Sequence, residues 1–198
     1  MRLYHSPTTP FGRKVMVLLL ETGMQDRVEV LVAAGTPVAS GTMPVELNPL
    51  GKIPVLVRDD GMALYDSRVI CRYLDDLAGA GLYGTGDALW QTLTLEATAD
   101  GMMDAAILMV YEARVRPEDK WFGDWVEGQW AKVARTLDML EERQMGALDM
   151  GQVALACALA YLDFRHDVRT WRQGRPKLAA WEAGMAARPS MLSTRPPV

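Results

Sequence analysis

Cysteine and histidine are both scarce in this 198-residue chain, with two of each. Cys71 (SRVICRYL) and Cys157 (LACALAYL) lie in apolar, helix-patterned surroundings and form no CxxC pair. That spacing argues against a disulfide framework or a redox dithiol, and both read as buried, reduced thiols. His5 and His166 stand alone, so a zinc or iron centre lacks its usual ligands and no metal is expected. Positive charge is not in excess: 21 Lys and Arg face 25 Asp and Glu, a net charge of −4. No broad cationic face for nucleic acid or anionic lipid follows from that balance. Long apolar runs are missing as well. VMVLLL at 15–20 is far too short to span a bilayer, and no charged-then-apolar leader opens the sequence, so the expectation is a soluble, cytoplasmic protein.

What is present is enough apolar material for a core, 49% of residues, in a length that suits one large domain or two small ones packed together. The pattern changes near residue 80. Before it, short β-rich runs alternate with helical ones: RLYH, a helix from about Pro10 to Thr22, VEVLV, PVLVR, MALY, and a helix from Ser67 to about Leu77. Asp60-Gly61 between PVLVR and MALY marks a hairpin. With one more turn or short helix between VEVLV and PVLVR, the order becomes βαβαββα. After the glycine-rich AGAGLYGTG, only helical spacing of apolar residues remains. The predicted architecture is therefore an α/β domain over 1–78, a linker over 79–85 and an all-helical domain over 86–198.

Some boundaries follow from local chemistry alone. In HSPTTPFGRKV, Thr9 precedes Pro10. A threonine N-cap accepts an orphan helix N–H, and proline at the first helical position wastes no donor. Asp149 and Gln152 have the spacing of a capping box ahead of VALACALAYL. Asp66-Ser67 before RVICRYL has the form of another helix start.

The order TPFGRK, NPLGKIPVLV, LYDS and then an all-helical half resembles the glutathione S-transferase family across essentially the whole chain. NPLGKIPVL followed thirteen residues after Ile53 by Asp66-Ser67 is the specific part of that signal. The likeness is nearest to small bacterial transferases with a TSPFVRK-like N-terminus and an AYLDFR-like late helix. It implies a thioredoxin-like N-terminal domain that binds glutathione and a helical domain that completes a pocket for a small hydrophobic electrophile. By the same resemblance, Pro54 is the cis-proline that opens the third strand, and Ile53 offers its N–H and C=O to the cysteinyl backbone of glutathione. Asp66 and Ser67 hold the γ-glutamyl group, the carboxylate suiting its ammonium and the hydroxyl and helix N–H groups its carboxylate. Lys52 matches a position that meets the glycyl carboxylate, and as an exposed loop lysine it could equally be solvated. A homodimer with a detoxifying role is the family expectation.

Thr9 departs from the pattern, which has Ser or Cys before Pro-Phe. A thiol of reference pKa ~8.5 is mostly protonated at neutral pH, and each unit of depression needs about 1.4 kcal/mol. The resemblance makes the Thr9 hydroxyl the donor that stabilises the thiolate, with Ser6 and Thr8 as fallback donors and the amides of Phe11 and Gly12 as the alternative source of activation. The threonine methyl group and its stiff χ1 are the new elements. In ADGMMDAAILMVYEARVR, Met103, Ile107 and Tyr111 are the candidate electrophile pocket, although Met and aromatic residues at that spacing equally make a core. Asp100 and Asp104 share one helical face, as a solvated face, a polar pocket element or part of a dimer cleft. Arg13 and Lys14 read as helix packing and surface charge. Two other functions use the same fold: a non-catalytic scaffold like translation-factor modules and stringent-starvation regulators, and a glutathione-dependent isomerase of the maleylacetoacetate type. The KIP and DS elements weigh against the first, and the missing SSCS-like pair against the second.

Overall fold

RLYH forms the first strand, β1 (Arg2–His5), and Pro10 starts the first helix, α1 (Pro10–Glu21), in a computed structural model that describes residues 1–197. Val198, the last residue of the expected helical domain, lies outside the described residues. β2 (Glu29–Val32), β3 (Val55–Val57), β4 (Ala63–Leu64) and α2 (Ser67–Ala78) complete the N-terminal region. The sheet order is β2-β1-β3-β4, with β1 parallel to β2 and the other pairs antiparallel. Leu3, Leu56 and Leu64 pair in one row across the sheet, and all three are buried against Val15, Leu18, Ile70 and Leu74 of the two helices. Burying such a row fixes the register, because a one-residue slip would turn every leucine to the other face. Asp60-Gly61 turns the β3–β4 hairpin, with Gly61 at φ +86°, a conformation that glycine adopts without strain.

Of the turn or short helix expected between β2 and β3, the structure has turns and no helix, so the order is βαβββα. Gly35, Pro37, Gly41, Pro44, Pro49 and Gly51 punctuate this stretch too often for a helix to propagate. It holds single turns instead, such as Asn48 N–H to the Pro44 carbonyl at 2.9 Å. Asn48, 2% exposed, staples the end of the loop: its amide donates to the Lys52 carbonyl (2.8 Å) and its oxygen accepts from Leu50 N–H (3.1 Å). That staple delivers Lys52-Ile53-Pro54 to the start of β3.

The rest of the chain is helical: α3 (Asp87–Val115), α4 (Gly123–Glu141), α5 (Met150–His166), α6 (Pro176–Ala186) and α7 (Pro189–Ser193). α5 is buried almost all round. Met150, Val153, Ala156 and Cys157 join the core of the sheet region, while Ala154, Leu155, Ala158, Leu159 and Leu162 join a second core with α3 and α4. One central helix therefore welds the two regions, and a periodic apolar stripe gives way to an apolar cylinder. Asp149 caps α5, its carboxylate accepting Gln152 N–H at 2.8 Å, as the capping-box spacing predicts. α3 comes so close to α5 at Gly151 that a β-carbon there would lie 2.8 Å from Leu95 Cβ and from the Thr92 carbonyl.

Candidate active site

Three N-terminal segments meet at one end of the sheet. The antiparallel pairing of Tyr4 with Val55 sets Pro54 beside the end of β1, where the chain turns through Ser6–Thr9 into α1. The Ile53–Pro54 peptide bond is cis. Among the described residues, neither the N–H nor the C=O of Ile53 has a hydrogen-bond partner, and the residue is half-buried, so one strand-like edge is open to an extended ligand. The third segment is the start of α2.

Thr9 is the N-cap residue of α1 in backbone conformation, yet its side chain makes no capping hydrogen bond. This corrects the expectation that its hydroxyl satisfies an orphan N–H. Its methyl carbon instead lies over Gly12, the third helical residue. Two consequences follow. The hydroxyl has no partner among the described residues, and the N–H groups of Phe11 and Gly12 stay unclaimed at the positive end of the helix dipole. Ser6 and Thr8 are paired with one another, Oγ to Oγ1 at 3.1 Å, so they are less free than Thr9 to serve as donors.

Asp66 caps α2, accepting Arg68 N–H at 3.0 Å, and also pairs with the Arg68 guanidinium at 2.7 Å. Burial alone would raise its pKa, but the hydrogen bonds and charge of Arg68 hold it below the usual carboxylate range. Ser67, at the first position of α2, is 2% exposed, and its hydroxyl has no partner among the described residues. Lys52 is exposed nearby, and its charge opposes the rise that burial imposes on the Asp104 pKa.

Beneath this surface lies an ionic cluster. Lys14, fully buried, donates to Glu96 Oε1 at 2.9 Å and to Asp100 Oδ1 at 2.9 Å. Tyr83, between α2 and α3, donates to Glu96 at 3.0 Å, and Arg68 lies 3.6 Å from the other oxygen of Asp100. Burial disfavours the Lys14 charge, but the two carboxylates outweigh it and raise the pKa above the ordinary lysine value. Arg13 is also buried, donating to the Met191 carbonyl at 2.9 Å and Thr194 Oγ1 at 3.3 Å, which ties α1 to α7. Of the reading of Arg13 and Lys14 as helix packing and surface charge, the packing holds and the surface charge does not. Asp100 is no solvated face either: it links Lys14 to Arg68, and only Asp104 is exposed. The signal in the sequence was Lys14 on the same helical stripe as Val17 and Leu18, and the i, i+4 acidic pair Glu96 and Asp100 on another.

Phe11 and Ile107 are partly buried and pack on the second core from its edge, and Tyr111 is half-buried. Met103 is different. At 1% exposure it belongs to that core, one helical turn from Ile107, so it lines no open surface, which corrects its place among the candidate pocket residues.

With this geometry in place, comparison with known proteins settles the family. Residues 8–77 match the glutathione S-transferase N-terminal domain, and residues 123–184 match the glutathione S-transferase C-terminal domain. The chain belongs to the glutathione S-transferase family. A glutathione transferase family member from Pseudomonas fluorescens Pf-5, solved with bound glutathione, is 48% identical, with 100% of this chain and 99% of that chain covered and a TM-score of 0.96. A glutathione S-transferase from Methylobacillus flagellatus KT, also with glutathione bound, is 34% identical over 99% of each chain, with a TM-score of 0.88. The GST-like protein YibF of Escherichia coli K12 is 34% identical, covering 100% of this chain and 99% of its own.

Proposed function

We propose that this family member is a glutathione transferase that lowers the pKa of the glutathione thiol and directs the thiolate onto a small hydrophobic electrophile. The observation that carries the reading is the open constellation at the sheet end: an unpaired Ile53 backbone edge, a free Ser67 hydroxyl beside the Asp66 carboxylate, and unclaimed α1 donors under a free Thr9 hydroxyl. The bound glutathione of the Pseudomonas structure, 48% identical, supports it.

In this account glutathione lies extended along Ile53, as a short added strand, with Pro54 aiming that edge outward. Its γ-glutamyl ammonium meets Asp66, and its γ-glutamyl carboxylate meets Ser67 and the N-terminus of α2. Lys52 serves the glycyl carboxylate. The sulfur then sits at the start of α1. The thiol loses its proton to solvent, and the Thr9 hydroxyl and the Phe11 and Gly12 N–H groups stabilise the anion. One to two units of depression require about 1.4–2.8 kcal/mol, within reach of one hydrogen bond to a charged group together with a helix terminus. The thiolate attacks an electrophilic carbon, the C–S bond forms, and the displaced group leaves with its electron pair. Phe11, Ile107 and Tyr111 line the electrophile side, and holding both reactants together supplies the remaining acceleration. Residues 1–78 form the glutathione domain and 86–198 the electrophile domain, and the working form is a cytoplasmic homodimer.

The test is calorimetric titration with glutathione, followed by conjugation to a chlorinated dinitrobenzene. Saturable binding with turnover above the solution rate supports the reading. Binding without turnover points to an isomerase or another glutathione-dependent reaction, and absence of binding to a scaffold.

A further inference from the structure

The methyl group of Thr9 separates it from the serine of the family pattern, and the structure shows where that methyl goes. Gly12 has no side chain. A β-carbon built on it would lie 2.9 Å from Thr9 Cγ2 and 2.5 Å from His5 Nδ1. The threonine methyl and the histidine ring therefore share the space that any other residue at position 12 would fill. His5 is 7% exposed, and its Nδ1 has no hydrogen-bond partner among the described residues. Burial lowers its pKa below the ordinary histidine value, so at neutral pH the ring is an uncharged wall. Gly12 and the ring together leave a slot beside the third helical position, whose N–H is a usual partner of a capping oxygen. Thr9 presents its methyl carbon to it, and its hydroxyl makes no capping hydrogen bond.

We propose that the slot formed by His5 and Gly12 is a rotamer lock: it seats Thr9 Cγ2, keeps Oγ1 off the helix, and so holds the hydroxyl ready for the glutathione sulfur. His5 and Gly12 become positioning residues for thiol activation, and threonine is a better residue than serine at position 9 of this chain. The inference rests on the reading that the Thr9 hydroxyl serves the thiolate. A serine has no methyl to place in the slot. Its hydroxyl can enter, accept the Gly12 N–H and cap the helix, which withdraws both the hydroxyl and one backbone donor from the sulfur.

The experiment measures the pKa of bound glutathione, by ultraviolet thiolate absorbance, in the wild type, Thr9→Ala, Thr9→Ser and His5→Ala, with denaturant midpoints for each. Thr9→Ala is expected to raise the bound-thiol pKa. Thr9→Ser is expected to raise it by at least half as much, although it keeps a hydroxyl, while its denaturant midpoint rises through the new cap. His5→Ala, which opens the slot without touching position 9, should move the pKa in the same direction. A wild-type pKa in Thr9→Ser or in His5→Ala, with Thr9→Ala still raised, overturns the lock and leaves the role of the hydroxyl standing. A wild-type pKa in Thr9→Ala overturns both.

Discussion

Lys14 and Asp100 form a buried, two-pronged ion pair between α1 and α3, with Nζ 2.9 Å from one carboxylate oxygen and 3.1 Å from the other. Glu96 completes the cluster at 2.9 Å. Because the proposed thiol site starts on α1 and the proposed electrophile side lies on α3, this contact would set how those two sides face each other. Replacing Lys14 by Met would leave buried Glu96 without a cation and Asp100 with only Arg68, 3.6 Å away. The expected loss is about 3–5 kcal/mol, read from denaturant midpoints. Adding Glu96→Gln and Asp100→Asn to Lys14→Met should recover much of it, since the cost lies in the uncompensated charges. A Lys14→Met protein as stable as the wild type would contradict the account.

Asp66 has two separable jobs. Its Oδ1 accepts Arg68 N–H as the α2 cap, and its charge is assigned to the ligand ammonium. Asn caps about as well as Asp, so Asp66→Asn should keep stability within about 0.5 kcal/mol while weakening glutathione binding at least tenfold, the effect of losing roughly 1.4 kcal/mol. Asp66→Ala should lose both the affinity and about 1 kcal/mol of stability. Equal affinity in Asp66→Asn and wild type by calorimetry would remove the ammonium from this position.

Glu21 anchors the C-terminal helix. Its carboxylate pairs with Arg188 at 2.6 Å and accepts the Ser190 hydroxyl, and the Arg188 hydrogen bond leads in depressing its pKa below the ordinary value of 4.5. A carboxylate whose folded pKa is depressed contributes stability that is complete above its unfolded pKa and lost as pH falls through the folded one. Unfolding free energy should thus fall on acidification below about pH 4.5, and Glu21→Gln should flatten that limb. An unchanged limb in Glu21→Gln would assign the acid sensitivity to other groups.

Local signals were legible in the sequence and remote ones were not. The Asp60-Gly61 hairpin, the Asp149 cap and the start of α1 each depend on a few neighbouring residues, and the structure places them as those residues dictate. Lys14 shares a helical stripe with the buried Val17 and Leu18, which hints at its burial, but its partners stand 82 and 86 positions away and the stripe does not say which acids they are. Thr9 carries the right propensity for a cap, but the space over Gly12 is shaped by His5 of the preceding strand, so tertiary packing overrides the local preference. The stretch between β2 and β3 shows the reverse case. Its prolines and glycines favour the turn and disfavour the short helix, so the residues themselves decide between the two. Met103 carries no signal that separates core from pocket, since its spacing fits both.

The central claim is that the start of α1 stabilises a bound thiolate. The most direct measurement is the pH titration of thiolate absorbance for glutathione saturating the wild-type protein, set beside free glutathione under the same conditions. The account predicts a bound-thiol pKa about one to two units below that of the free peptide. Coincident titrations, with binding confirmed by calorimetry, would contradict it.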